Sequence, residues 1–295
     1  RCPSSLPEDS PFGIRVFRTG TFENKKFFLD LPAFFGKSPY DFWAPDFYAG
    51  WVPFAVRKGL EILRKERISA ILSSSLPSTS HCIAYLLKKK TGLPWIADFR
   101  DSWTRNPYRS YPVPLSLPFD RGLEKRVMAV ADRIVTVTDS LTREFREVYE
   151  EKVGPKFSTI TSGFDPEDFA SFREAPIPRE APWTLSYSGN LYGHRRADTF
   201  LEAVRELLAE NPSLKSNIRI HFTGLVDPAE ELRKRFGLEE TVQTFPQQSH
   251  RELLARLSGS DAFLILSGPK EIDRQALPRK LFDYLALRKP ILALI

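Results

Sequence analysis

Short apolar runs recur along this chain, each separated from the next by a stretch whose apolar residues repeat at helical spacing. Val56, Leu60 and Leu63 mark one helical face ahead of the run Ala70-Ile71-Leu72. Ile83, Leu86 and Leu87 mark the next, ahead of Trp95-Ile96-Ala97. Leu123, Val127 and Val130 precede Ile134-Val135-Thr136-Val137, and Leu141, Phe145 and Val148 lead to the run 157–160. Stripes at i, i+3/i+4, i+7 bury one helical face. Continuous apolar runs bury both faces of a strand. Their alternation is the pattern of βαβ units around a parallel sheet.

The stretch 172–183 (FREAPIPREAPW) breaks this rhythm with three prolines, mixed charge and no periodicity, and reads as an interdomain linker. Beyond it the alternation restarts. Strands are expected at 185–188, 218–222, 242–245, 263–266 and 291–295, with helical faces at Phe200, Leu201, Val204 and Leu208, at Leu253, Leu254 and Leu257, and at Leu281 and Leu285. The fold expected is α/β, with two doubly wound parallel-sheet domains facing a cleft, residues 1–172 and 173–295. Gly13 to Val16 reads as a strand, but no strand–Gly-rich turn–helix opens the first domain, and the chain stops inside an apolar run. A fragment is therefore expected, without the first strand and Gly-rich loop of one domain and without the end of the other.

The only cysteines, Cys2 and Cys82, form no CxxC or Cys/His cluster, which excludes a zinc finger and a disulfide framework and fits a reducing, cytoplasmic setting. No apolar run reaches the ~18–20 residues of a membrane span. The formal net charge of +6 suits an anionic small substrate or an anionic membrane surface. With no helix-turn-helix, RRM or KH pattern, nucleic acid is not an expected partner.

In open α/β sheets ligands sit at the carboxyl ends of strands, so the loops there hold the candidates. Residues 95–108 (WIADFRDSWTRNPY) place Asp98, Arg100 and Asp101 after a strand, where carboxylates and a guanidinium steer a hydroxyl against an anionic donor. The same residues also suit an Asp–Arg pair that only ties down a loop. Residues 188–198 (SGNLYGHRRAD) offer Gly189 and Gly193 for close backbone approach, Asn190 for a left-handed turn, and Arg195 and Arg196 near a helix start. Backbone N–H groups, a helix N-terminus and guanidinium groups together make a diphosphate cradle, although a plain β–α turn carries the same residue types. In residues 275–294 (QALPRKLFDYLALRKPILAL), Pro278 suits the first turn of a helix, Lys280 reaches phosphate oxygens and Asp283 holds ribose hydroxyls. The competing assignment is an i,i+3 surface ion pair between Lys280 and Asp283. His81 opens a helix, and His221 and His250 have no partner in view. The lysines 88–90 complement a helix C-terminus.

These three segments, with 131–141 (ADRIVTVTDSL) and 161–169 (TSGFDPEDF), resemble in order and spacing the motifs of glycosyltransferase family four. That is the retaining group of GT-B architecture that builds bacterial surface polysaccharides and glycolipids, and the likeness runs from about Tyr48 to the end. It implies two Rossmann-like domains. It further implies that Gly189 and Asn190 lie beside a nucleoside-diphosphate sugar whose charge Arg195 or Arg196 and Lys280 neutralise. The family's paired glutamates fall on Gln275 and Asp283; Asp283 keeps an acid for the ribose, whereas Gln275 departs at the position that touches the donor sugar. Arg100 stands where many members carry a histidine.

The function implied is transfer of a hexose from a nucleoside-diphosphate sugar to a saccharide or lipid-linked acceptor hydroxyl with retention. The alternatives are a GT-B sugar-nucleotide epimerase, which would use the same donor cradle without an acceptor, and a non-catalytic nucleotide-sugar-binding homologue, to which the departures at Gln275 and Asp283 point. No Asp-x-Asp occurs, so no metal or other cofactor is expected. The segment Leu31–Phe54 carries nine aromatics and is a candidate for peripheral contact with the inner face of the cell membrane, although no basic amphipathic helix accompanies it.

Overall fold

A computed structural model describes residues 14–23, 26–34, 42–106, 109–111, 113–172, 182–191, 197–268 and 277–294. The chain divides into two compact units, Arg1–Thr161 and Ser162–Ile295. Residues 162–172 thus join the second unit, ahead of the expected division at 172/173. The physical reason is Phe169, which is buried in a cluster with Leu254, Leu257, Phe263 and Tyr284 of that unit.

In the first unit, α1 (Lys26–Phe34) and a 3-10 turn (Phe47–Trp51) lead into α2 (Val52–Lys65). There follow β1 (Ile71–Ser74), α3 (Thr79–Thr91), β2 (Trp95–Phe99), α4 (Ser116–Val130), β3 (Arg133–Thr136), α5 (Asp139–Val153) and β4 (Phe157–Thr159). The strands pair parallel in the order β1-β2-β3-β4, with Ile71 beside Trp95, Ala97 beside Ile134 and Thr136 beside Thr159. Right-handed crossovers that always step the same way put their helices on one face. Accordingly Ile71, Trp95, Ala97, Phe99, Ile134 and Phe157 form the core with α3, α4 and α5, while Leu72 on the other face is 70% exposed. Among the described residues this sheet winds in one direction only.

The second unit contains α6 (Pro166–Phe169), β5 (Trp183–Ser188), α7 (Asp198–Glu210), α8 (Leu214–Asn217), β6 (Ile218–Thr223), α9 (Asp227–Arg235) and β7 (Val242–Phe245). It closes with α10 (His250–Ser258), β8 (Ala262–Leu266), α11 (Arg279–Leu287) and β9 (Ile291–Leu294). Its parallel order is β7-β6-β5-β8-β9, so winding reverses between β5 and β8. Reversal sends helices to both faces. One core joins Leu185, Tyr187, Ile220, Phe222 and Leu264 to α7 and α9, and the other joins Phe263 and Ile265 to α10 and α11. The continuous run Ala262–Leu266 is buried at every position because it lies between those two layers. This unit is doubly wound, and in open sheets of this kind ligands bind outside the carboxyl ends of the strands at the reversal, here β5 and β8.

Candidate functional site

The turn at the end of β5 is built on a glycine. Gly189 has φ +115°, a region side chains rarely adopt, and a Cβ there would come within 2.9 Å of the Lys280 ammonium. Opposite it, Gly224 at the end of β6 has φ +134°, and a Cβ there would lie 2.5 Å from the Gly189 carbonyl oxygen. Only two glycines allow these strand ends to approach so closely. Hydrogen bonds then close the gap. The Gly189 amide donates to the Thr223 carbonyl (2.8 Å), the Leu191 amide to the Leu225 carbonyl (2.9 Å), and the Leu225 amide to Asn190 Oδ1 (3.1 Å). The Tyr187 hydroxyl, from inside the core, donates to the Asn190 carbonyl (3.2 Å).

Helix α11 delivers the other half of the site. Pro278 caps it from extended backbone, so the helix begins at Arg279 and Lys280 lies in its first turn. The Lys280 ammonium sits 3.6 Å from the centroid of the Tyr187 ring, a cation–π contact. Next to Asp283 on the same helix, the buried Tyr284 hydroxyl accepts from the Ser188 amide (2.8 Å) and donates to the Leu264 carbonyl (3.4 Å), tying α11 to β5 and β8 at the point of reversal. Tyr284 also stacks on Phe263, centroids 4.4 Å apart. Sequence reasoning passed over Tyr284, Tyr187 and Gly224. The signal for the tyrosines was an aromatic hydroxyl inside an otherwise apolar stripe, which needs a partner when buried.

Asp283 pairs with His250 and not with Lys280, which corrects the surface-pair assignment: the Lys280 ammonium lies over the Tyr187 ring instead. His250, expected to lack a partner, has two. Its Nε2 lies 3.5 Å from Asp283 and its Nδ1 4.0 Å from Asp168 on α6. The Asp283 side chain is 15% exposed. Burial raises its pKa, opposed by the His250 and Arg279 charges. Gly189, Asn190 and Lys280 thus meet at the reversal point of the second unit, while Asp283, one turn further along α11, faces His250. Arg195, Arg196 and Gln275 lie outside the described residues.

In the first unit the strand-end candidates are arranged differently. Asp98 accepts from the Ser74 hydroxyl (2.6 Å), its register partner on β1. Arg100 and Asp101 are exposed just beyond β2, and the Arg100 amide donates to Ser75 Oγ (3.4 Å). The loop is pinned by two carboxylates of α4 that the sequence reading did not single out. Asp120 pairs with Arg109 (2.7 Å) and accepts from the Tyr111 hydroxyl (3.2 Å) and the Trp103 indole (3.4 Å). Glu124 accepts from the Thr104 amide (2.8 Å) and the Tyr149 hydroxyl (2.7 Å). Both acids are fully buried, and burial pushes Asp120 up to about 6 against the pull of Arg109. Their positions were legible: 120, 124, 127 and 131 share one helical stripe, so the two acids occupy core positions.

The remaining titratable candidates are structural. His81 pairs with Ser73 Oγ (2.7 Å), which also accepts from the Trp95 indole (2.9 Å), and burial pushes its pKa down to about 3. Lys88 reaches the Asp132 carboxylate (2.8 Å) as well as the Gly92 carbonyl beyond the helix end (3.4 Å). Asp46, in the aromatic segment, caps α3 by accepting from the Thr79 amide (2.9 Å) and hydroxyl (2.7 Å). Trp43 stacks on Phe28 with centroids 4.1 Å apart, and its indole donates to the Phe28 carbonyl. Among the described residues no three His, Cys, Asp or Glu side chains are grouped so as to hold a metal ion, and no helix is long and apolar enough to cross a membrane.

No family model matches the chain. A D-inositol 3-phosphate glycosyltransferase from Kineococcus radiotolerans is 26% identical over 162 residues, which cover 49% of this chain and 36% of that protein. The match therefore spans about a third of the curated relative. Sucrose-phosphate synthase from Thermosynechococcus elongatus shares the fold with a TM-score of 0.58 at 15% identity, over 82% of this chain and 60% of that one. A UDP-forming alpha,alpha-trehalose-phosphate synthase from Burkholderia xenovorans gives 0.62 at 13% identity, over 92% and 69%.

Proposed function

We propose that this chain, which has the GT-B glycosyltransferase fold, belongs to an enzyme that transfers a hexose from a nucleoside-diphosphate sugar to an acceptor hydroxyl with retention. Surface polysaccharide or glycolipid synthesis is the setting that fits. The observation that carries the reading is the meeting of Gly189 and Lys280 at the point where the second sheet reverses. A backbone without a side chain, a lysine ammonium and the first turn of a helix together present positive charge to a ligand that approaches closely, which is what a diphosphate requires.

Each residue then has a task. Lys280, aided by Arg195 or Arg196, stabilises the negative charge that grows on the departing diphosphate, and stabilising charge that develops in the transition state is usually the largest catalytic contribution. Asp283 accepts from the ribose hydroxyls, and His250 holds its carboxylate in place. Gln275 stands on the donor-sugar side. On the acceptor side Asp98, Arg100 and Asp101 orient the hydroxyl, and a donor phosphate oxygen takes its proton. The cradle is built of cations and backbone, so the diphosphate needs no divalent metal.

Acceptor-dependent release of nucleoside diphosphate tests the reading. A panel of nucleotide sugars screened by thermal shift identifies the donor, and acceptor sugars or lipid-linked sugars are then added. Nucleotide-sugar binding without acceptor-dependent release would overturn transfer in favour of epimerisation or simple binding. Absence of any nucleotide-sugar effect would overturn the site itself.

A further inference from the structure

Strand β6 reads Ile218-Arg219-Ile220-His221-Phe222-Thr223, an alternation instead of the continuous apolar run of β8. A parallel strand covered on both faces is apolar throughout, so alternation marks a face without full helical cover. Ile220 and Phe222 fill the core under α7 and α9. Arg219 and His221 point the other way, to the face that α10 and α11 cover over β8. Register fixes this, because Phe263, Ser186, His221 and Gln243 stand side by side across β8, β5, β6 and β7. Along that row Phe263 and Ser186 are buried, His221 is half-buried and Gln243 is exposed. The helical cover stops short of the sheet edge.

The uncovered end is cationic. Arg256 of α10 holds its guanidinium 3.6 Å from the centroid of the Phe245 ring, and that ring meets His221 edge-on with centroids 5.2 Å apart. Arg256 Nε donates to Gln248 (3.1 Å). Arg219, on the same face as His221, donates through Nη1 to the Lys215 and Ile218 carbonyls (3.0 and 2.8 Å). Other arginines of this unit pair with acids, Arg233 with Glu230 (2.7 Å) and Arg235 with Asp198 (3.7 Å). Among the described residues no carboxylate pairs with Arg219 or Arg256. Burial, then the charges of Arg256 and Arg219, lower the His221 pKa, which fits a place of positive potential. His221, expected to lack a partner, thus stands between an aromatic edge and two cations.

We infer that Arg219, His221 and Arg256 form a site for the phosphate group of a small ligand, free phosphate or a monoester, on the outer face of β6. Two guanidinium groups and an imidazole suit a group with three charged oxygens, whereas a carboxylate, with two, satisfies a single guanidinium fork. Gln243, exposed beside His221, offers an amide to the hydroxyls of an ester. Arg219 precedes Thr223, at the carboxyl end of β6, by ~13 Å along the strand, so the site is apart from the nucleotide cradle at Gly189 and Lys280.

The test is NMR of the histidine imidazoles while the protein is titrated with inorganic phosphate or glycerol phosphate at constant pH and ionic strength; His221→Gln assigns the signal. The His221 signal should shift saturably with phosphate and not with chloride. His250, beside Asp283, is the internal reporter of the nucleotide site, and a response there with none at His221 overturns the inference. R219Q/R256Q should weaken the His221 response by roughly tenfold or more, the loss of charge-assisted bonds. K125Q/R143Q makes the same charge change on exposed positions of the first unit and should respond as wild type does, as should Lys280→Met. Arg256→Gln alone, in a side chain that reaches out over Phe245, is read if the double variant does not fold. Tighter binding of glycerol phosphate assigns a monoester, and equal binding assigns free phosphate. An unchanged response in both arginine variants, an equal loss in K125Q/R143Q, or an equal shift with chloride each overturns the site.

Discussion

The ammonium of Lys280 rests 3.6 Å above the centre of the Tyr187 ring, and the hydroxyl of that same ring bonds the Asn190 carbonyl at 3.2 Å. One buried side chain thus sets both halves of the proposed diphosphate cradle, the cation from α11 and the turn after β5. A cation over an aromatic face gains ~0.5–2 kcal/mol, enough to hold a lysine in one orientation.

Lys280→Met keeps the length of the side chain and removes its charge. Nucleoside-diphosphate affinity should fall by roughly ten- to a hundredfold, the loss of a charge-assisted bond worth ~1.5–3 kcal/mol. Tyr187→Phe keeps the ring and should stay within about threefold of wild type, whereas Tyr187→Leu should weaken binding clearly. Calorimetry on the double variant Lys280→Met/Tyr187→Leu decides whether the ring acts through the lysine. The pair should then bind no worse than Lys280→Met alone, and additive losses would show two independent effects.

Gly224→Ala tests the close approach of the two strand ends. The added Cβ would meet the Gly189 carbonyl at 2.5 Å, a backbone atom with little freedom to move, on top of an unfavourable φ of +134°. Gly237 also has positive φ (+66°), but nothing lies within 4 Å of its Cβ position, so Gly237→Ala reports backbone strain alone. Strain of that kind costs ~1–3 kcal/mol. Gly224→Ala should exceed Gly237→Ala in loss of thermal stability and should also lose nucleotide binding. Equal losses with binding intact would refute the contact as the reason for glycine.

Much of the fold was legible because its signals are local. The run Ala262–Leu266 is apolar at every position, and that alone marks a strand buried on both faces. Strand order is not local: no periodicity distinguishes the one-way winding of β1 to β4 from the reversal between β5 and β8. The site shows the same division. Gly189 and Lys280 were found from turn chemistry and helix position. Their neighbours Tyr187, Gly224 and Tyr284 were not, because each acts through a partner distant in sequence, as Tyr284 does on Ser188. Asp120 and Glu124 were overlooked for another reason: acids on a core stripe register as solvated polar residues until their partners are seen.

Asp120 predicts a pH dependence of stability. Its folded pKa is raised from 3.8 to about 6, so between those values the native state binds more protons than the unfolded state. Stability contributed by this group therefore falls as pH rises through that window and is level on either side. At ~1.4 kcal/mol per pH unit the change is on the order of 2–3 kcal/mol. Asp120→Asn cannot titrate. Denaturant unfolding of wild type and variant at pH 4 and pH 7 should give a stability difference that changes by that amount, and a pH-independent difference would place the Asp120 pKa near its ordinary value.

Metal removal tests the cradle as a whole. If Lys280, the arginines and backbone amides carry the diphosphate, transfer should persist in EDTA. Complete loss rescued by manganese would show that a metal holds the diphosphate instead, and would refute the assignment of Lys280 to that role.

Asp283 is the residue whose role separates the nucleotide site from ordinary helix chemistry most cleanly. Its carboxylate is 15% exposed and lies 3.5 Å from His250 Nε2, with Asp168 on the far side of the imidazole. If it grips ribose hydroxyls, the bonds are charge-assisted and worth ~1.5–3 kcal/mol, so Asp283→Ala should weaken nucleoside-diphosphate binding by roughly ten- to a hundredfold. Asp283→Glu retains the acid on a longer arm and should bind better than the Ala variant. His250→Ala removes the group that orients the carboxylate and should cost less than Asp283→Ala. In the double variant its effect should vanish, because nothing remains to orient. A purely structural His–Asp contact predicts the reverse: lower thermal stability for both single variants and unaltered nucleotide affinity. Calorimetry and thermal unfolding on the same four proteins separate the two outcomes, and an Ala variant within twofold of wild-type affinity removes Asp283 from the site.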